Sequence, residues 1–296
     1  MKSSTSTDTS SLLLGQATVY KSQYDASLLY PIARLNTRQA LFTDNELPFV
    51  GTDLWTAYEV SWLNSQGMPQ LRLVEFIFAH DTVNIVESKS FKLYLNSFNQ
   101  TYLDSESDLK RIMLEDLSTA AIGALEIIFY DLDDANNLAI DHPPGHCIDA
   151  SEVRIEHYHR EAQLLCANLD GDKAGVQQEK APIIVEDETL YSHLLKTNCP
   201  VTNQPDWATI FIHYSGPKIK AENLLAYIVS FREHQDFHEN CVEQIFVDIA
   251  RHCKPTSLAV YARYTRRGGL DINPMRYSLN STAQPFKNLR LRTRRQ

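Results

Sequence analysis

One short polar segment follows a long apolar stretch and combines an acid with serines and lysines. It reads Glu-Ser-Lys-Ser-Phe-Lys from Glu87 to Lys92. A carboxylate such as that of Glu87 can accept hydrogen bonds from a guanine-like edge, and lysines can contact phosphates. Folding alone gives no reason for this density of polar groups, so we predict a site for a nucleobase and a nucleotide cofactor. The alternative is a solvated edge strand with Glu/Lys pairs, because short charged motifs are frequent by chance.

A thiol and a carboxylate share a second segment. Cys199 and Asp206 both lie in residues 196–207, a stretch that two prolines stiffen and that we predict to be irregular. A loop nucleophile with a nearby acid is one interpretation. A free thiol with a pKa of about 8.5 is only slightly ionised at neutral pH, so Cys199 would need a cationic or hydrogen-bonding environment to attack efficiently. The alternative is a small buried cysteine in a turn.

Phe237, His238 and Glu239 stand at the predicted start of the last helix. A helix N-terminus can hold an anionic group, and an aromatic ring can stack on a base. His238 can move protons near neutral pH. A helix-capping cluster is the alternative.

Arg266, Arg267, Gly268 and Gly269 follow a predicted strand. The glycines would let the backbone approach a ligand, and the arginines would contact phosphate. Such a sequence is also common in a simple turn.

Histidines near a Pro-rich connection resemble a metal site at first sight. Together with one cysteine they are His142, His146, Cys147, His157 and His159. Their spacing matches no closed zinc pattern, so we predict scattered surface histidines and no metal.

Length and composition predict a soluble globular protein. The chain has 296 residues, and its 43% hydrophobic content is enough for a large core. No stretch approaches the roughly 18 apolar residues of a membrane span, and residues 1–14 lack the apolar centre of a secretory signal. We therefore expect a cytoplasmic protein. The 5 cysteines are scattered, without a CxxC pair, which favours reduced thiols.

The charge balance opposes general nucleic-acid binding. The formal net charge is −9, although the C-terminal end is locally basic. That tail fits a solvated end or a subunit contact, since no aromatic residue follows Phe286 to stack on bases. Its basic residues are Lys287, Arg290, Arg292, Arg294 and Arg295.

The elements that must position these residues fall into two similar halves. In the first half, residues 54–63 and 71–79 predict a hairpin, Ser105 predicts the cap of a helix, and residues 125–132 predict a strand. The second half follows two polar connections, residues 133–150 and 168–180. Its predicted elements are strands at 183–185 and 207–214, a turn at 215–217, helices at 221–231 and 239–252, and a strand at 258–265.

The pattern predicts the α+β class, as a tandem repeat with helices on one face of each antiparallel sheet. Val242, Ile245, Phe246 and Ile249 form one stripe of the last helix, which indicates core. A doubly wound nucleotide fold is disfavoured, because no GxGxxG follows a strand.

The motifs in this order resemble the NADPH-dependent 7-cyano-7-deazaguanine reductases of the queuosine pathway, in their long two-module form. The resemblance rests on residues 87–94, on Asn198-Cys199 with Asp206-Trp207, on residues 237–239 and on residues 261–274. It extends from about residue 24 to residue 276.

The resemblance implies the tunnelling fold (T-fold), whose antiparallel modules associate into a barrel with sites at module interfaces. A homo-oligomer, most simply a homodimer, is then expected. The implied parts are an extension at residues 1–20, modules at 21–140 and 182–276, a connection at 141–181 and a basic tail at 277–296.

The resemblance also implies a reaction. Cys199 would attack the nitrile carbon to give a covalent thioimide, and Asp206 would protonate the nitrogen, with His238 as a further catalytic residue. Two NADPH per turnover would complete a four-electron reduction to the primary amine, without a metal.

Binding roles follow from the same resemblance. The deazaguanine would be held by Val86, Glu87, Ser88, Phe237, His238 and Glu239. The cofactor would be held by Ser88, Lys89, Arg267 and Gly268.

Two rivals remain open. One is a zinc hydrolase related to the pterin and GTP cyclohydrolases, which should carry a Cys/His ligand set. The other is a non-catalytic deazapurine-binding or RNA-associated protein, which loss of the nucleophile would favour.

Overall fold

The structure is a computed structural model that describes residues 20–41, 47–133, 139–140, 142–167, 181–279 and 292–296. The predicted N-terminal extension up to residue 19, the whole connection at 168–180, and Lys287 and Arg290 of the basic tail lie outside the described residues. In the part of the chain that is described, no helix is long and apolar enough to cross a membrane.

The described elements are strands and fewer helices, which confirms the α+β class. The strands are β1 Pro31–Ala33, β2 Val50–Leu63, β3 Pro69–Ala79, β4 Asn84–Val86, β5 Leu125–Tyr130, β6 His146–Cys147, β7 Ile184–Asn198, β8 Pro205–Pro217, β9 Ser257–Tyr264 and β10 Leu270–Tyr277. The α-helices are α1 Leu35–Arg38, α2 Ser88–Ser97, α3 Glu106–Ala121, α4 Ala221–Ser230 and α5 His238–Cys253. Short 3₁₀ helices lie at Ala26–Leu28, Ala162–Cys166 and Phe231–Glu233.

The chain forms two compact units. Unit 1 contains Met1–Asn45, Thr52–Asn137 and Arg266–Ile272, and unit 2 contains Glu46–Gly51, Leu138–Thr265 and Asn273–Gln296. The start of β10 thus belongs to unit 1 and its end to unit 2. The module bounds implied by the resemblance stay a prediction.

Unit 1 is built on the predicted hairpin, which is confirmed. β2 and β3 pair antiparallel from Thr52 opposite Ala79 to Leu63 opposite Pro69, and β5 pairs with the other edge of β3. The connecting turn is held by Asn64, whose Oδ1 accepts from the backbone N–H groups of two turn residues. An Asn side chain that mimics a backbone turn in this way explains the tight reversal.

The core of unit 1 lies between this sheet and helices α2 and α3. Val74, Phe76 and Phe78 recur at every second residue of β3 and are buried, as expected for one face of a strand. Phe91 of α2 packs edge-on against Phe76, with ring centroids 5.1 Å apart. Helix α3 begins after Ser105, whose hydroxyl accepts from the Asp108 N–H, so the predicted cap is confirmed.

Unit 2 has the strand order β9-β8-β7-β6, with helices packed against it. β7 and β8 form a long antiparallel hairpin, β9 pairs with β8, and β6 pairs with β7 in parallel. Helix α5 packs on β9 and helix α4 on β7. The predicted core stripe of α5 is confirmed, since Val242, Ile245, Phe246 and Ile249 are all buried.

One alternative and two local predictions are wrong. Residues 88–97 form helix α2 and not an edge strand. β7 runs to Asn198, so residues 196–198 belong to a strand and only residues 199–204 are irregular. Residues 215–217 end strand β8 and are not a turn, because Gly216 pairs with Val185 and Pro217 with Ile184. In the last two cases pairing between β7 and β8 decided the structure, and local turn chemistry did not.

Candidate functional site

Cys199 lies in a short loop, residues 199–204, that joins β7 to β8; we call it the thiol loop. The Cys199 N–H donates to the Gln204 carbonyl at 2.9 Å, and the Asn203 N–H donates to the Cys199 carbonyl at 3.0 Å. Asn203 adopts a positive φ of 55°, which closes the loop. The thiol is half-buried. A fixed backbone therefore presents a sulfur that a ligand can still reach.

Backbone hydrogen bonds fasten the thiol loop to the start of helix α5. The Asn198 N–H donates to the His234 carbonyl at 2.8 Å, and the Asp236 N–H donates to the Asn198 carbonyl at 3.3 Å. The strand end that carries Cys199 and the segment that carries Phe237, His238 and Glu239 are thereby held side by side.

Asp206 stands on β8 just after the thiol loop and faces His238. It is 6% exposed, and its backbone lies opposite Thr197 in the β7–β8 register. His238 Nε2 lies 3.4 Å from Asp206 Oδ2. A carboxylate and an imidazole at this separation can exchange a proton directly or through a small shift.

A stacking contact fixes the ring of His238. The imidazole lies on the ring of Tyr264, with centroids 3.7 Å apart and planes 1° from parallel. Burial, with Cys241 and Asp206 nearby, holds the pKa of Tyr264 well above its usual range, so this platform stays neutral. The Nδ1 atom of His238 is buried and has no hydrogen-bond partner among the described residues. A buried nitrogen of this kind lacks a partner that native structures normally supply.

Phe237 and Glu239 flank His238 at the N-terminus of α5, but they do not cap it as a cluster. Phe237 is the N-cap residue and provides no side-chain cap. Its N–H donates to the Asp236 carboxylate at 2.8 Å, and the side chains of Asn240 and Gln244 donate to the same carboxylate. Asp236 therefore organises this turn, and the sequence analysis missed it.

The electrostatics of this turn oppose the predicted anion site. Asp206 and Glu239 are both buried here, at 6% and 3% exposure, and Asp236 lies three residues before Glu239 in the chain. Burial raises the pKa of Asp236, although its hydrogen bonds favour the ionised form. Carboxylates accept hydrogen bonds, so this end of α5 suits a ligand that presents N–H groups.

A second thiol lies beneath the turn. Cys241 is fully buried in α5, and burial, followed by Asp236 and Asp206, raises its pKa well above its usual range. A buried thiol of this kind stays protonated and is a poor nucleophile. Of these two thiols, Cys199 is accordingly the better placed for chemistry.

In unit 1, Val86, Glu87 and Ser88 form the junction between β4 and α2. Glu87 is the N-cap of α2, and its carboxylate accepts from the N–H groups of Lys89 and Ser90 at 2.9 and 2.7 Å. This is the folding role that the sequence analysis denied to the segment: an acid and a serine here start a helix. Carboxylate lone pairs beyond these two bonds still allow Glu87 to contact a ligand.

One face of α2 lines a cavity of about 520 Å³ in unit 1, which we call the lysine cavity. Two of the predicted cofactor residues, Lys89 and Gly268, line it, whereas Ser88 and Arg267 do not. Gly268 and Gly269 have φ values of 58° and 71° in a tight turn, in which the Arg267 N–H donates to the Leu270 carbonyl at 2.9 Å. This is the turn chemistry that glycine pairs provide in hairpins.

Several residues of the lysine cavity were not predicted from the sequence. Lys92, Asn96 and Asn99 lie on the same face of the α2 segment as Lys89 and line the cavity with it. Their spacing of three and four residues is the signal that a helix assignment would have supplied. Ammonium and amide groups around an exposed glycine turn suit a ligand that carries phosphates.

The four histidines near the connection are exposed side chains, as the sequence predicted. They are His142, His146, His157 and His159. Cys147 behaves differently: its sulfur lies close to Asp149 and His193, a set that the sequence analysis did not consider.

Two family models match the chain. Residues 20–129 match the model described as "Nitrile reductase, 7-cyano-7-deazaguanine-reductase N-term", and residues 205–282 match the model described as "QueF-like protein". The first match includes the β4–α2 junction, and the second includes Asp206, the start of α5 and the glycine turn.

Curated relatives match almost the whole chain. A protein of Burkholderia multivorans is 48% identical over 267 residues, covering 90% of this chain and 93% of that protein. A protein of Cupriavidus necator is 48% identical over 274 residues, covering 92% and 94%. Both are named NADPH-dependent 7-cyano-7-deazaguanine reductase. A solved archaeosine synthase QueF-Like structure in the apo form covers 34% of this chain at 16% identity and a TM-score of 0.29.

Proposed function

Because this chain belongs to the NADPH-dependent 7-cyano-7-deazaguanine reductase family and is an oxidoreductase that acts on a nitrile, we propose that it reduces 7-cyano-7-deazaguanine to 7-aminomethyl-7-deazaguanine through a thioimide on Cys199. The product would serve queuosine synthesis in tRNA. The observation that carries the proposal is a half-buried thiol on a fixed loop, immediately before a buried carboxylate that faces an imidazole.

Addition of the Cys199 thiol to the nitrile needs no metal. Cys199 Sγ adds to the nitrile carbon, one C≡N π bond becomes an N–H bond, and the product is a thioimide. NADPH supplies the hydrides, two per turnover. After the first reduction the carbon expels Cys199 as a thiolate and leaves an imine, and after the second reduction the nitrogen takes another proton to become the amine.

Asp206 and His238 supply and position protons in this scheme. Asp206 donates to the nitrile nitrogen as sulfur attacks carbon, and His238 Nε2, 3.4 Å away, replenishes the carboxyl group. The stack on Tyr264 keeps the imidazole from turning away. Water must be kept from the imine, which the burial of this turn favours.

Recognition of the deazaguanine uses carboxylates. Glu239 would accept from the N–H groups of the guanine-like edge, Phe237 would stack on the ring, and His238 would contact it as well. Val86, Glu87 and Ser88 are proposed for the same ligand on the strength of the family resemblance. The buried acids of the α5 turn support a ligand that donates hydrogen bonds.

NADPH would be held by Ser88, Lys89, Arg267 and Gly268. The lysine cavity supports the roles of Lys89 and Gly268, because both line it and Lys92 adds a second ammonium group, whereas Ser88 and Arg267 are proposed from the family resemblance. Cationic side chains would bind the additional phosphate of NADPH, so we expect NADPH to be used far better than NADH.

The architecture proposed with this function is a pair of T-fold modules that associate into a barrel in a cytoplasmic homodimer. Antiparallel strands with helices in each unit support it. We propose no resident catalytic metal, since thiol addition activates the nitrile.

The test is adduct formation followed by turnover. Without NADPH, 7-cyano-7-deazaguanine should add its mass to the protein at Cys199, and with NADPH the absorbance of the reduced nicotinamide should fall. Cys199→Ala should abolish both, whereas Cys166→Ala, which changes an exposed cysteine, should preserve both. An adduct or nitrile reduction in Cys199→Ala would refute the mechanism.

A further inference from the structure

Three different metal-binding side chains meet in unit 2, outside the thiol loop. A sulfur, a carboxylate oxygen and an imidazole nitrogen lie within 4.8 Å of one another, and all three residues are half-buried: Cys147, Asp149 and His193. The pairing of β6 with β7 explains why Cys147 and His193 lie close together. β6 pairs with β7 so that Cys147 lies opposite Tyr191, and His193 follows two residues later on β7.

Neighbouring groups contact each of the three side chains that could bind a metal. The Asp149 carboxylate accepts from the Ser192 hydroxyl at 2.6 Å and from the His193 backbone N–H at 3.0 Å. The Nδ1 atom of His193 lies 2.9 Å from the Thr209 hydroxyl. Burial, followed by the adjacent Cys147 thiol, raises the pKa of the Tyr191 hydroxyl. Outer contacts of this kind fix ring orientation and ligand basicity in metal sites.

We propose that Cys147, Asp149 and His193 bind a zinc-class divalent cation. Thiolate, imidazole and carboxylate are the ligands that zinc accepts, at about 2.0–2.3 Å, and three protein ligands leave one position open. Small side-chain rotations would bring the donors from their present separations to those of a tetrahedral site.

The surroundings indicate the fourth ligand. His193 and Tyr191 line a cavity of about 490 Å³, and Arg294 and Arg295 lie on its wall. The Arg295 guanidinium is engaged with the His193 and Ala208 carbonyls at 2.8 and 3.0 Å. Two guanidinium groups favour hydroxide or a small anion at the open position, and the carbonyls that hold Arg295 reduce its repulsion of the cation.

Cobalt(II) is the probe, because a cobalt–thiolate bond gives a charge-transfer absorption band that a non-thiolate site lacks. The metal-free full-length protein should bind cobalt with a stoichiometry of about one per chain and show this band, and Zn²⁺ should displace it. Cys147→Ser should lose the band, and Cys166→Ser, at an exposed thiol near His252, should keep it. Thr209→Val should weaken zinc binding by about 10- to 100-fold.

Absence of the band in the wild-type protein would overturn the proposal, as would a band that survives Cys147→Ser. A band that disappears in Cys199→Ala would place the metal at the thiol loop and overturn it equally. Circular dichroism of each variant separates loss of a ligand from loss of the fold, and the wild-type titration needs no variant. The readout is independent of nitrile reduction, so it stands or falls separately from the proposed function.

Discussion

At the scale of single residues, Asp206 is the group whose chemistry is most sharply testable. Asp206→Asn preserves size and the position near His238 but cannot release a proton. We expect nitrile reduction to slow by about a hundredfold or more, because general acid catalysis contributes that much. The measurement is the turnover rate at saturating nitrile and NADPH.

A matched control for that change is Asp131→Asn. The Asp131 side chain is 74% exposed, and its ion pair is with Arg72, which has no part in the proposed mechanism. It should leave the rate unchanged. A wild-type rate in Asp206→Asn would remove Asp206 from the proposed mechanism.

His234, whose carbonyl anchors the end of β7, makes stability depend on pH. Burial, followed by the charge of Arg160, lowers its pKa from 6.5 to about 4. Because the unfolded chain binds a proton below pH 6.5 that the folded chain does not bind until about pH 4, stability must fall as pH falls through this window. The contribution is about 2 kcal/mol between pH 7.5 and 5.

Urea unfolding of the wild type and of His234→Phe at both pH values isolates this contribution. A phenylalanine keeps the edge-on contact that His234 makes with Phe231, at a centroid distance of 5.2 Å. The variant should lose about 2 kcal/mol less than the wild type on acidification. Parallel losses in the two proteins would show that His234 does not titrate as described.

At the scale of elements, one face of helix α2 is expected to select the cofactor. Lys89 and Lys92 both line the lysine cavity. Lys92→Met keeps most of the aliphatic stem and removes the charge, so KM for NADPH should rise about tenfold or more, the value of one charge-assisted hydrogen bond. Steady-state kinetics with NADPH and with NADH measure the effect, and KM for NADH should change less.

Lys110→Met is the control for that change, because Lys110 is exposed on α3 and does not line the cavity. It should leave both KM values unchanged. Equal losses with NADPH and NADH in Lys92→Met would mean that Lys92 does not contact the additional phosphate.

At the scale of the whole molecule, the proposed homodimer predicts activity that depends on concentration. If edge-paired modules complete the site, specific activity should fall on dilution as the dimer dissociates. Mass photometry and activity measured over the same dilution series test this. A fully active monomer would contradict the proposed assembly.

Chelation separates the proposed mechanism from that of the zinc hydrolases, which share the expected fold. Thiol addition needs no metal-bound water, so exhaustive chelation should leave the rate of nitrile reduction intact. If Cys147, Asp149 and His193 bind zinc, chelation should instead lower the melting temperature. Activity abolished by a chelator and restored by zinc would contradict the mechanism.

The sequence by itself determined the features that depend on local pattern. The β2–β3 hairpin, the stripe of α5 and the cap at Ser105 are set by local residue pattern, by the helix period and by one hydroxyl, so they were predicted correctly. Membership of the family was also determined, because motifs in a fixed order are specific even when each one is common.

Tertiary structure decided what depends on distant partners. The length of β7 follows from pairing with β8 over residues with weak strand signals, where Ile184 and Val185 lie opposite Pro217 and Gly216, far along the chain. The stack of His238 on Tyr264 joins residues far apart in the chain. So does the meeting of Cys147 with His193. Residues brought together by strand register leave no periodic trace in the sequence, and for this physical reason only the folded chain displays them.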